Sequence, residues 1–274
     1  MLRPLGISST MLGEQITPGG LNEAVERGIT HLELFVPADG ETCVAPPEFQ
    51  RIADLVVEAG MCVWSVHAPF GKSVDLSEPD ELRRRESVAQ ITRAGEVAGM
   101  VEANCVVVHA GHDGSDEAER SVRRRQSLRS LNCLLKRTCQ LGVRLAVEYL
   151  PANKERLCNC SEEIREILSL CDGRPGVCLD TNHANLCEDL AEVTRALGEL
   201  ICTLHISDND GDRELHAMPG EGVIDWSEFM DALDEIGYDG PLVYETIGGE
   251  TVAERMEMTV RSACDVLGWE GPDG

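Results

Sequence analysis

Short, nearly continuous apolar runs recur along the chain, and between them lie longer segments whose apolar residues return every three or four positions. The runs fall at residues 5–8, 31–36, 62–67, 105–109, 144–149, 177–180, 203–206 and 242–245, each bounded by Gly, Pro or polar residues. That is the pattern of parallel strands buried on both faces. The periodic segments, 21–27, 47–59, 81–98, 117–141, 161–170, 190–200, 227–236 and 252–267, predict amphipathic helices. Gly28, Gly60, Gly99, Gly142 and Gly237 stand where several of them should stop. Eight strand-then-helix units within 274 residues predict an α/β fold. It should be a single (β/α)8 TIM barrel over residues 1–270, with a flexible tail at 271–274. A doubly wound open sheet is the alternative, but neither GxGxxG nor GxxxxGK[ST] follows the first run.

At 42% apolar residues the composition is that of an ordinary globular protein. No apolar run nears the roughly 20 residues that span a bilayer. Arg3, Pro4 and Gly6 interrupt any secretory signal core at the N-terminus, so a cytoplasmic protein without membrane contact is expected. A formal charge of −25 repels phosphate backbones and argues against a nucleic-acid partner. The arginine runs at 83–85 and 123–125 lie inside helical patterns and read as solvated faces. The 12 cysteines are scattered, and no CxxC has a matching second half. Reduced thiols, many of them core filler, are therefore expected in place of a structural zinc site.

Barrel enzymes carry their chemistry at the C-terminal ends of the strands. Those positions here hold Glu33, His67, His109, Glu148, Asp180 (with His183 just beyond it), His205 and Glu245. One buried imidazole or carboxylate is ordinarily a hydrogen-bonded core group, because burial without a partner is costly. Seven strands turning such groups toward one rim are harder to explain structurally. Glu148, Asp180 and Glu245 would repel one another severely unless cations neutralised them. Two glutamates, an aspartate and a histidine with open positions suit Mn²⁺, Mg²⁺, Co²⁺ or Zn²⁺. With His67, His109, His183 and His216 nearby, zinc or a multinuclear site is also admitted. His31, at the start of its run, reads as structural, and His112 as either a substrate contact or a solvated residue. Trp64, Phe70 and Tyr149 fit an apolar pocket wall or core packing equally.

The stretch 204–226 is the densest in candidate chemistry. His205 ends a strand, and Ser207, Asp208, Asn209, Asp210, Asp212, Arg213, Glu214 and His216 follow in a loop rich in groups that bind metals or hydroxyls. The run PGEGVIDW then turns the chain and places Asp225 to cap the next helix. A solvated acidic loop is the blander reading.

The motifs VHAPF, VVHAG, VEYLP, LDTNH, LHISDNDG, PGEGVIDW and LVYE, in that order, resemble the strand ends of the xylose isomerase-like barrel superfamily. They look most like its sugar phosphate isomerase/epimerase branch, the AP endonuclease family 2 type that also includes endonuclease IV. The resemblance implies that Glu148, Asp180, His205 and Glu245 hold one divalent ion, with Mn²⁺ the first candidate. It implies that Glu148 and Glu245 act as base and acid, or the reverse, on opposite sides of a bound sugar, moving a proton through a metal-stabilised enediolate. His183 would hold substrate oxygens, and Arg213 is a candidate partner for an anionic group. The expectation is a metal-dependent isomerase or epimerase of a small sugar, ketose or polyol derivative, with a homo-oligomer allowed for. The endonuclease IV branch implies an alternative, a zinc phosphodiesterase with further ligands at His67, His109, His183, Glu214 and His216. Glu214 stands where that branch has an aspartate. A barrel that only binds a small ligand is the remaining alternative.

Overall fold

The computed structural model describes residues 3–39, 46–71, 73–152 and 156–271. The strands are β1 Leu5–Ser8, β2 Ile29–Phe35, β3 Cys62–His67, β4 Cys105–Val108, β5 Arg144–Glu148, β6 Gly176–Asp180, β7 Ile201–His205 and β8 Leu242–Tyr244. They pair in parallel in the order β7-β6-β5-β4-β3-β2-β1-β8. Ile206 bridges to Tyr244 and brings the two ends together, with Ile206 N–H donating to Val243 O at 2.7 Å and Glu245 N–H to Ile206 O at 3.1 Å. Around this ring lie α1 Pro18–Val25, α2 Pro46–Glu58, α3 Glu81–Met100, α4 Glu117–Leu141, α5 Ser161–Ser169, α6 Thr181–Asn185, α7 Leu190–Leu197, α8 Trp226–Glu235 and α9 Val252–Leu267. The chain is a single (β/α)8 TIM barrel, and each predicted run is a strand. Of the predicted tail, residues 272–274 lie outside the described residues.

The main core fills the space between sheet and helices, with Leu21, Ile29, Leu131 and Phe229 among its fully buried members. Each such side chain contributes about 1.5–3 kcal/mol by leaving water. A smaller cluster of Cys105, Val107, Ala146, Cys178 and Cys202 stands apart from it. Side chains alternate faces along a strand. Val107 and His109, Ala146 and Glu148, and Cys178 and Asp180 therefore share parity, so the face that packs this inner cluster also carries the polar groups at the rim. Parallel register aligns those groups: Asp180 lies beside His205, Glu148 beside Cys178, and Phe35 beside His67.

Several sequence expectations need correction. Gly99 does not stop α3, which continues to Met100. A Cβ at Gly99 would lie 3.3 Å from that of Leu141, so this glycine serves the close approach of α3 to α4. The left-handed turn falls instead on Glu102, with φ 55°. The arginine runs are not uniformly solvated. Arg84 is 4% exposed and donates to Ser130 Oγ at 2.8 Å, while Arg123 pairs with Asp75 and Glu119. Of the cysteines in the strands, Cys105, Cys178 and Cys202 are buried as core filler, but Cys62 is exposed. Helix α6 has too few residues to show a period; it starts because Asp180 Oδ1 accepts from His183 N–H at 2.8 Å.

Candidate active site

Glu148 stands at the centre of the rim. Its Oε2 lies 3.2 Å from His67 Nε2 and 2.8 Å from His109 Nε2. Its Oε1 faces His205 Nδ1 at 3.4 Å and His183 Nδ1 at 3.5 Å. His205 Nδ1 also faces Glu245 Oε2 at 3.2 Å and Asp180 Oδ2 at 3.7 Å. Three groups of ligand atoms result, each with its members within 4.8 Å of one another: His67, His109 and Glu148; Glu148, Asp180, His205 and Glu245; and His183, Glu214 and His216. Each ligand that the family resemblance implied falls in one of the three, whereas Glu33, Asp208, Asp210 and Asp212 fall in none. His67, His109, Glu148, His183, Glu214, His216 and Glu245, together with Phe70 and Arg156, line a cavity of about 120 Å³ at the C-terminal mouth of the barrel, and Asp180 and His205 lie buried behind that wall.

The ring nitrogens facing away from the cavity decide what the others can do. His67 Nδ1 meets Ala68 O at 2.8 Å, His183 Nδ1 meets Tyr149 O at 3.0 Å, and His216 Nδ1 meets Glu245 O at 3.2 Å. A carbonyl only accepts, so each Nδ1 carries the proton and each Nε2 presents a lone pair when the ring is neutral. In His205 the order is reversed. Its Nε2 meets Glu33 at 2.9–3.0 Å, and its Nδ1 faces the carboxylates of Glu148, Asp180 and Glu245. Ligating histidines are held this way by outer acceptors. Asp180 Oδ2 and His205 Nδ1 are fully buried and have no hydrogen-bond partner. A cation would satisfy two such buried atoms facing each other among further carboxylates, so the donor set fits a divalent ion.

Without an ion, the charges lean on the histidines. Burial opposes protonation of His67, but Glu148 and Glu33 raise it to about 9. Burial likewise opposes protonation of His183, and Asp180, Glu214 and Glu148 raise it to about 9. His205 is pushed well up, its burial outweighed by neighbours that include Glu33 and Glu245. Burial wins at His109, which falls to about 4. The carboxylates divide: burial is overcome at Glu148 by the rings of His109, His205 and His67, which hold it well below the usual range. Burial and the charges of Asp180 and Glu148 raise Glu245.

Other candidates sit elsewhere. Arg213 is turned away from the cluster: its side chain is 70% exposed and pairs with Asp210 at 2.6 Å, so the sequence-based placement against an anionic substrate group is dropped. Asp208 is no ligand either. It accepts from the N–H groups of Asn209, Gly220, Gly222 and Ile224 and from Trp226 Nε1, and so braces the loop that carries Glu214 and His216. Asp225 caps α8 by accepting from Glu228 N–H at 3.0 Å. Phe70 stacks on His109 with centroids 4.4 Å apart, Tyr149 is buried with its hydroxyl on Glu188, and Trp64 Nε1 donates to Thr203 Oγ1. Sequence reasoning noted Glu33 at its strand end but gave it no role, and it passed over Arg156.

Residues 21–263 match the family described as xylose isomerase-like TIM barrel. The chain belongs to that family. Among its relatives, the ketose 3-epimerase of Arthrobacter globiformis is 24% identical over 211 residues, 75% of this chain and 71% of that protein. A probable endonuclease 4 of Acholeplasma laidlawii is 24% identical over 264 residues, 88% of each chain. The crystal structure of a D-tagatose 3-epimerase-like protein superposes with a TM-score of 0.83 at 24% identity, covering 97% of this chain and 98% of the other. That structural likeness carries the xylose isomerase-like fold. No helix among the described residues is long and apolar enough to cross a membrane.

Proposed function

We propose that the protein is a divalent-metal-dependent isomerase or epimerase of a small sugar, ketose or polyol derivative. The observation that carries the reading is the convergence of Glu148, Asp180, His205 and Glu245, whose ligand atoms lie within 4.8 Å of one another at the cavity floor formed by Glu148 and Glu245. Kinship with the ketose 3-epimerase of A. globiformis supports it. These four residues would hold the ion, with Mn²⁺ preferred for a set of three carboxylates and one imidazole. The ion would supply Lewis-acid polarisation of the ketose carbonyl, acidifying the neighbouring C–H. Glu148, kept ionised by its histidines, takes that proton and becomes a carboxylic acid, and the C–H electron pair moves into an enediolate. Glu245, entering as the carboxylic acid, returns a proton from the other side and is left as a carboxylate. Return to the opposite face of the same carbon inverts it, and return to the former carbonyl carbon interconverts ketose and aldose. His183 Nε2, held by the Nδ1 contact to Tyr149 O, contacts substrate oxygens. The test is a panel of ketoses incubated in D₂O with Mn²⁺-loaded protein and followed by NMR. Deuterium should enter at a carbon beside the carbonyl; a panel without exchange overturns the reading.

The two further ligand groups favour a second reading, a zinc phosphodiesterase of the endonuclease IV type. If His67 and His109 took an ion of their own, Glu148 would bridge two ions and lose its availability as a base. Elemental analysis separates the two. One exchangeable ion per chain favours the epimerase, whereas about three retained zincs together with incision of abasic DNA favour the hydrolase.

A further inference from the structure

The wall of the cavity also carries a cation that the chemistry above does not use. Arg156 lies in the loop between β5 and α5, is half-buried, and lines the same cavity as Glu148 and Glu245. The chain has 49 Asp and Glu against 24 Lys and Arg, and three arginines of the adjacent helix α4 pair with carboxylates: Arg120 with Asp113 and Glu163, Arg123 with Asp75 and Glu119, Arg124 with Glu166. Arg156 differs from these three. Among the described residues its guanidinium makes one hydrogen bond, from Nη1 to His112 Nε2 at 3.2 Å, and no ion pair, while Asp75, Glu148 and Glu214 act on it at longer range. A guanidinium has five N–H donors, so Nε and both hydrogens of Nη2 stay available for a planar, two-point contact.

The loop around this group is built, not loose. The backbones of His112 and Arg156 form an antiparallel bridge, and Leu157 N–H donates to Gly111 O at 3.1 Å. His112 N–H is in turn held by Ser77 Oγ at 2.9 Å, and Ser77 Oγ–H donates to Asp75 Oδ1 at 2.6 Å. Gly111 has φ 123°, and a Cβ there would lie 2.5 Å from Ser77 Oγ, so only glycine lets the two loops meet. Burial and the adjacent Arg156 charge lower the pKa of His112, which leaves a neutral ring whose Nε2 accepts from Arg156 and adds no second positive charge.

We propose that Arg156, positioned by His112, is a specificity-determining residue that binds a terminal oxyanion of the substrate, a phosphate or a carboxylate. Glu148 and Glu245 would work at its other end. The substrate class narrows accordingly to short open-chain sugars that carry a negative charge at the end remote from the reacting carbons. This inference rests on the isomerase or epimerase reading for the identity of the sugar, but not for the anion site itself.

The experiment is calorimetric titration of inorganic phosphate, and separately of acetate, into Mn²⁺-loaded and into chelated full-length protein, native and with Arg156→Met or Arg156→Lys. Native protein should bind phosphate in both forms. Arg156→Met should weaken that binding at least about tenfold, equivalent to about 1.4 kcal/mol, while Arg156→Lys retains part of it. Metal content and thermal midpoint should stay native in both variants. A preference for phosphate or for acetate identifies the oxyanion. Phosphate affinity equal in native protein and Arg156→Met, or no binding of either anion to native protein, overturns the assignment. D-fructose and D-fructose 6-phosphate compared for deuterium exchange form the companion arm. Exchange confined to the phosphorylated sugar and lost in Arg156→Met supports the proposal. Absence of exchange from both tells against the epimerase reading and leaves the anion titration to decide on Arg156.

Discussion

Glu33, itself 1% exposed, receives the Nε2–H of His205 and a hydrogen bond from Ser65 Oγ at 2.7 Å. A carboxylate behind a ligating imidazole fixes its tautomer and raises its basicity. Glu33→Gln keeps the shape and one acceptor but removes the charge, so affinity for the divalent ion should fall roughly 10- to 100-fold in calorimetric titration. An unchanged affinity would show that Glu33 only fills space. Glu245→Gln probes the chemistry: deuterium exchange should fall roughly 100- to 10,000-fold, with the fold intact by circular dichroism. Residue types at the strand ends were legible in the sequence because a polar group ending an apolar run stands out. Glu33 was visible by the same sign, but its role depends on a partner 172 positions away, which no local pattern reveals. Arg156 was hidden for the opposite reason. It sits in a loop without period, and its significance comes from lining the cavity beside Glu148 and Glu245.

The loop between β7 and α8 is organised by one buried carboxylate. Asp208 accepts five N–H groups, from Asn209, Gly220, Gly222, Ile224 and Trp226. Asp208→Asn replaces one acceptor oxygen by a donor and leaves several of those groups unsatisfied. It should destabilise the protein by about 2–5 kcal/mol, read as a lower urea midpoint, and loosen Glu214 and His216 with it. Stability within about 0.5 kcal/mol of native would contradict this account of the loop. The sequence shows a cluster of polar residues here, and polarity alone does not distinguish a metal ligand from a brace. Strand and helix positions were legible because buried parallel strands and amphipathic helices differ in period. Helix α6 and the end of α3 were not, since the first hangs on a single cap and the second on a non-glycine left-handed turn.

Over the whole molecule, the buried histidines make stability depend on pH with a definite sign. His67 and His183, raised to about 9, contribute stability that is complete below about 6.5 and is lost as pH climbs through about 9. His109, lowered to about 4, acts the other way and withdraws stability as pH falls from about 6.5 through about 4. Urea midpoints of chelated protein should therefore be highest near pH 6.5 and lower at pH 4.5 and pH 9; a flat profile contradicts these charge states. Binding an ion between Glu148, Asp180, His205 and Glu245 requires a neutral His205, so it should release a proton and tighten as pH rises. The measurement that goes straight to the centre of the account is the Mn²⁺ content per chain of protein first chelated, then reloaded and dialysed, native beside Asp180→Asn. Native protein should retain at least one ion per chain, and Asp180→Asn, which keeps the cap on His183 but loses a ligand charge, should retain far less. Native protein that holds no ion, or a variant that holds as much as native, would contradict it.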